Sequence, residues 1–131
     1  TDEICMAAVQ QDGEALEYVQ NQTDEICMAA VQQDGLALDY VQNQTVEICM
    51  AAIQQYGYAC IYIKSELFDH DEWLYMMYVA IFKSVIFCDY IENDTIENRF
   101  DYLKKCKNIT DELIEQIIQI NLRNTKRTVK N

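Results

Sequence analysis

Apolar residues enter the chain in clusters at three- and four-residue spacings: Ile4, Cys5, Ala8 and Val9, then Ala15, Leu16, Tyr18 and Val19. That spacing puts each cluster on one face of a helix, with Gln10 and Gln11 turned away. Thr1-Asp2-Glu3 opens the first helix, a hydroxyl N-cap followed by two acids at the positive end of the helix dipole. Asp12-Gly13 breaks it, and the expectation for Gly13 is the left-handed conformation in which glycine commonly ends helices. A second short helix follows, which Asn21 closes before Thr23 caps the next. The predicted unit is a helix–turn–helix. No alternating stretch of useful length favours strands.

The same pattern then returns. Residues 23–44 repeat residues 1–22 with changes only at Glu14/Leu36 and Glu17/Asp39, and residues 45–66 form a looser third copy. Self-similarity at a fixed period marks a stacked repeat array. Helices of two or three turns are unstable alone, because nucleation costs more than so few hydrogen bonds return, so these units must pack on one another. The leucine-rich-repeat frame is absent. The expected architecture is all-α: an α-solenoid of 22-residue hairpins over 1–66 (1–22, 23–44, 45–66), closed by C-terminal capping helices.

Beyond residue 66 the pattern changes. His70-Asp71-Glu72 takes the place of Thr-Asp-Glu, and the apolar run 73–82 followed by Val85–Ile91 reads as a divergent fourth hairpin over 67–92. Its aromatic and β-branched content leaves helix or strand open for 73–91, and continuity with the array favours helix. Two more helices are expected in 93–123. Asp94 or Thr95 caps the first, which carries Ile96, Phe100 and Leu103. Thr110 caps the second, which carries Leu113, Ile114, Ile117, Ile118 and Leu122. Residues 124–131 are basic and are expected to fray.

The repeats also carry a resemblance. The pattern E-I-C-x-A-A-[VI]-x-Q-x-G-x-A-[LC]-x-Y-[VI] over residues 1–66 resembles the short tandem repeat of a domain of unknown function, number 4116. In the third copy Tyr58 follows Gly57 as in that family, while Cys60 and Ile61 replace its usual Ala-Leu ending. The family is found in bacteria and in large DNA viruses of amoebae. The resemblance implies an array, supplies no catalytic residue, and is compatible with the cytoplasm of an infected host cell.

Charge sharpens the picture. The formal net charge is −12, and residues 1–66 hold all but a small part of it, with Lys64 their single base. Such a field disfavours nucleic acid as a partner of the repeat half and favours a basic protein. Of the six cysteines, Cys5, Cys27 and Cys49 share one repeat position and no CxxC occurs, so reduced thiols in an intracellular protein are expected. The chain starts inside a full-strength repeat without a polar cap, so it reads as a fragment whose natural neighbours are further repeats of a longer parent chain. Lys83 interrupts the run 73–91, at about 2.5–3.5 kcal/mol on insertion scales, which argues against membrane spanning.

The candidate sites follow from stacking at the repeat period. Glu3, Glu25 and Glu47 align, with Asp2 beside Asp24, as an acidic ladder; its plainer explanation is helix capping. Gln10, Gln11, Gln32 and Gln33 form a polar row, and Tyr18, Tyr40 and Tyr62 an aromatic one whose plainer explanation is packing between helices. At position 14 the change from Glu14 to Leu36 requires that Glu14 be at least partly exposed. His70 among Asp69, Asp71 and Glu72 lacks the spacing of a metal loop, and the N-x-T motifs at Asn21, Asn43, Asn93 and Asn108 are explained by capping. No phosphate loop, GxSxG or HExxH occurs. The function expected is therefore a non-catalytic interaction scaffold, without metal or cofactor, that docks an unknown protein along its acidic and glutamine rows. The alternatives are a membrane-proximal adapter using 73–91 and the basic tail, and a structural spacer.

Overall fold

A computed structural model describes residues 1–106 and 109–129, with side chains to Lys126. Asn108 and Lys130 lie outside the described residues. The first α-helix of each repeat forms as its cap and stripe dictate: α1 (Asp2–Gln11), α2 (Asp24–Gln33) and α3 (Val46–Gln55). Thr1, Thr23 and Thr45 each accept from the backbone N–H three residues on, at 3.3, 3.2 and 3.2 Å. Three further α-helices follow: α4 (His70–Phe82), α5 (Ile96–Leu103) and α6 (Asp111–Val129). Among the described residues no strand forms, so the all-α expectation holds and 73–82 is helical.

The second arm of each repeat is a 3-10 helix, not an α-helix: Gly13–Tyr18, Gly35–Tyr40 and Gly57–Tyr62. One buried edge of it has a period of three, with Ala37 and Ala59 buried beside that edge in the second and third copies. Gly13, Leu16 and Val19 are buried, as are Gly35, Leu38 and Val41, and Gly57, Cys60 and Ile63. At three residues per turn these positions stack on one edge, whereas an α-helix would spread them round its surface. Asp12 and Asp34 are extended between helix and arm, with φ near −149° and −148°. Each turns its side chain back to cap the arm, accepting from Glu14 N–H at 3.1 Å and from Leu36 N–H at 3.0 Å.

None of the glycines has positive φ, which corrects the left-handed expectation. They are needed for close approach instead. A Cβ on Gly13 would stand 2.5 Å from the Ala30 carbonyl oxygen, and one on Gly35 2.5 Å from that of Ala52. Each repeat thus presses its turn against the helix of the next, and only a residue without Cβ fits.

Two glutamines per joint lock that contact. Gln33 Oε1 accepts the Gly13 N–H at 2.6 Å and Gln55 Oε1 the Gly35 N–H at 2.7 Å. Gln22 donates to the carbonyls of Leu16 and Tyr40 and accepts from Gln42 N–H, while Gln44 does the same with Leu38, Tyr62 and Lys64 N–H. These amides, rather than Asn21 and Asn43, close the arms. The apolar core runs unbroken through the joints: Ile26, Ala30, Val31, Leu38, Ile48, Ala52 and Ile53 are at most 1% exposed.

The C-terminal part covers the third repeat. Helix α4 packs on α3 and on the 57–62 arm, and also against α5 and α6. Asp69, one residue earlier than His70, is its N-cap and forms a capping box with Glu72. Lys83 ends the helix, and among the described residues no helix is long and apolar enough to cross a membrane. After Ser84 the chain forms no 3-10 arm. It runs irregularly to Thr95, giving the carbonyls of Ile86 and Phe87 to the N–H groups of Gly57 and Tyr58 at 2.8 and 2.9 Å. Thr95, rather than Asp94, caps α5. Asp94 instead grips buried Arg99, whose guanidinium also donates to the carbonyls of Ile81 and Ser84. Thr110 caps α6, which continues helical through the stretch expected to fray, as far as Val129.

Candidate functional site: the acidic edges of the array

Helices of ten residues are about 15 Å long, so the repeat acids fall into rows at opposite ends of the helical layer. At the N-terminal ends stand Asp2, Glu3, Asp24, Glu25 and Glu47, all exposed. Stacked carboxylates there face the helix dipoles, which offsets part of their mutual repulsion.

The other row lies at the turns, and sequence reasoning missed it. Asp12, Glu14 and Asp34 line an open groove with Gln33, Leu36, Gln55 and Tyr56, and the segment after α4 adds Asp89 and Tyr90. The groove holds about 560 Å³, and none of its lining residues is basic. Glu14 is exposed and Leu36 half-buried, as the Glu-to-Leu change requires. Lys64, the sole base of residues 1–66, is drawn away to the Val41 carbonyl at 2.9 Å. A signal for this row was present: Asp12 and Asp34 share a repeat position with Tyr56, so the third copy loses the acid and Asp89 brings one back from outside the repeats. Tyr56 Oη accepts the Asp89 N–H at 2.9 Å and fixes that residue in place. Burial of Tyr56 pushes its phenol up to about 12, so it stays a neutral hydroxyl.

The tyrosine row grades along the array. Tyr18 is 81% exposed, while Tyr40 and Tyr62 are partly covered. The charge of Glu17 raises the phenol of Tyr40, with smaller contributions from burial, Glu14 and Asp39. All four residues of the glutamine row, Gln10, Gln11, Gln32 and Gln33, are exposed, and Gln33 also gives its side-chain oxygen to the Gly13 N–H in the joint.

His70 hydrogen-bonds Gln116 Oε1 at 3.1 Å and sits beside Trp73. Among the described residues no group of three His, Cys, Asp or Glu side chains is placed to hold a metal ion. All six cysteines are free thiols. Burial, with Asp24 adding to it, pushes Cys27 up to about 11, and burial pushes Cys49 up to about 12, so both are poor nucleophiles.

Identical turns, identical glutamine locks and a continuous core define a helical tandem-repeat protein. The family model of DUF4116, a domain of unknown function, matches residues 1–44 and again residues 24–68, together just over half of the 131 residues. The chain belongs to that family, the one its repeat pattern resembles. No curated protein and no solved structure matches it.

Proposed function

We propose that this protein is a non-catalytic scaffold that holds a basic segment of another protein against its acidic repeat surface. The observation that carries the reading is the turn groove, where Asp12, Glu14, Asp34 and Asp89 converge without a lining base. A lysine- or arginine-rich segment lying there meets several carboxylates at once. Tyr90, 84% exposed at the groove, supplies an aromatic face for a guanidinium. Such a field raises association rate and selects for charge more than it adds affinity. The exposed row Asp2, Glu3, Asp24, Glu25 and Glu47 extends the same sign along the opposite edge.

The test is titration of the intact protein with a fluorescent nine-residue peptide alternating Arg and Gly, at low and at physiological salt. Two variants run beside it. One carries Asp12→Asn, Glu14→Gln and Asp34→Asn, which keeps the caps; the other carries Glu3→Gln, Glu25→Gln and Glu47→Gln. The reading expects salt-sensitive binding that the first variant reduces about tenfold and the second reduces less. Binding unchanged in both variants, or none to the parent, would defeat it.

A further inference from the structure

The arm of the third repeat departs from its two predecessors at adjacent positions, and both changes face one cavity. Where the first two copies place Leu16 and Leu38, each fully buried, the third places Cys60. Where they place exposed Glu17 and Asp39, it places half-buried Ile61. The cavity lies between this arm, α4 and the turn after α5, holds about 160 Å³, and is completed by Trp73, Met77 and Cys106. The two changes alter its lining in different ways. Exchanging an acid for isoleucine removes a charge and makes the wall apolar. Exchanging leucine for cysteine shortens the side chain and leaves space. A joint that needed only close packing would take the isoleucine and keep the leucine, because an unfilled volume costs stability.

We propose that this cavity is a binding site for a neutral, apolar small molecule about the size of a single aromatic ring. Its volume sets the size: an apolar cavity of about 150 Å³ stays dry and takes up benzene. Its lining sets the chemistry. None of the described lining residues is charged, and Ser65, exposed at the rim, is the only hydroxyl among them. A charged ligand would lie there without a counter-charge, and a water molecule, which needs about two to four polar partners, finds few. The Trp73 indole and the Met77 thioether are groups that contact an aromatic ring favourably. Met77 and Cys60, at 1% and 2% exposure, form the inner wall. Half-buried Trp73 and Cys106 form the outer one, so a ligand can enter without unfolding the joint. This inference does not depend on what the acidic edges bind.

The experiment titrates the intact, reduced protein with toluene and follows the emission of Trp73, the single tryptophan of the chain. The parent should show a saturable change, and toluene should raise its unfolding midpoint by mass action. Cys60→Leu restores the residue of the first two copies and fills the cavity, so toluene affinity should fall at least about tenfold. Cys106→Leu fills it from the other wall and should do the same, which keeps the test decisive if one filled variant fails to fold. Cys60→Ala removes the thiol but keeps the space, and should bind within about threefold of the parent. Absence of saturable binding to the parent overturns the proposal, as does parental affinity in a folded, filled variant. Loss of binding in a folded Cys60→Ala variant overturns it too, because the thiol and not the space would then be what holds the ligand.

Discussion

The joints between repeats and the joint between the third repeat and the C-terminal part use the same glycine for different partners. At the first two, the glycine N–H meets a glutamine side chain at 2.6 and 2.7 Å, and the turn presses on a helix carbonyl. At the third, the N–H meets the Ile86 carbonyl at 2.8 Å, and the turn faces Ser84 and Phe87 side chains. The neighbouring positions change in step. Asp12 and Asp34 give way to Tyr56, whose hydroxyl anchors Asp89. Glu14 and Leu36 give way to Tyr58, whose ring packs edge-on against Phe87 and Tyr102 and whose hydroxyl reaches Cys106. Glu17 and Asp39 give way to Ile61, beside the apolar cavity with Trp73 and Met77. A repeat joint is interchangeable because each side repeats the other's sequence. The terminal joint is a single fitted contact, and its aromatic residues mark where the array stops being periodic.

The sharpest way to separate the joints is a methyl group. Gly35→Ala places a Cβ against the Ala52 carbonyl, where helix backbone must move, and is expected to cost about 3 kcal/mol in chemical denaturation. Gly57→Ala probes the terminal joint on different atoms and should also destabilise, because its Cβ would meet Ser84 Oγ and Cβ and the ring of fully buried Phe87 at under 3.0 Å, and a Cβ cannot turn away. A Gly35→Ala variant as stable as the parent would mean that the close approach of turn to helix is not what makes the repeat joints rigid.

Arg99 plays at the terminal joint the part that the glutamines play within the array. Its guanidinium reaches Asp94 at 2.6 Å, the carbonyls of Ile81 and Ser84, and the face of Phe87. Arg99→Met leaves those carbonyls without this donor, and a loss of about 2–3 kcal/mol is expected, below the full buried-pair range because Asp94 is about one third exposed. The hydrogen bond from Arg99 holds the Asp94 carboxyl below its ordinary value of 3.8. A depressed pKa contributes stability that is complete above the ordinary value and is lost as pH falls through the folded one. Unfolding midpoints measured from pH 5 downward should therefore fall less steeply in Arg99→Met than in the parent. A parallel acid limb would remove Asp94 from the account.

Much of the fold was legible because a repeated sequence shows its own boundaries. Thr1, Thr23 and Thr45 mark each helix start, and Ile26, Ala30 and Val31 mark the core face. The 3-10 arms were missed although the spacing of Gly13, Leu16 and Val19 is three. Reading Ala15 and Tyr18 as part of the same apolar face made the pattern look α-helical. The glycines were misread because close approach depends on the next repeat, which no local window contains. The turn groove was half legible: Asp12 and Asp34 recur in register, but Asp89 reaches them through a backbone path that follows no repeat. Gln22 and Gln44 were passed over because their partners Tyr40 and Tyr62 lie in the following repeat, 18 residues on.

That glutamine gives the finest test of the comparison. Gln44 is 7% exposed and donates to the Leu38 and Tyr62 carbonyls, so Gln44→Ala leaves both without this donor and should cost about 2 kcal/mol. Gln22 makes the same pattern of bonds in a more open setting, and Gln22→Ala should cost about 1 kcal/mol, since water can replace part of what is lost. Glu66 occupies the third copy of this position, where no fourth arm follows, and it is exposed. A carboxylate has no proton to give two carbonyls, so its presence there fits a site released from the lock. Glu66→Ala should change stability by no more than about 0.5 kcal/mol. The series from Gln44 through Gln22 to Glu66 should descend in that order. A large loss at Glu66 would show that the position carries stability for a reason unrelated to joining repeats.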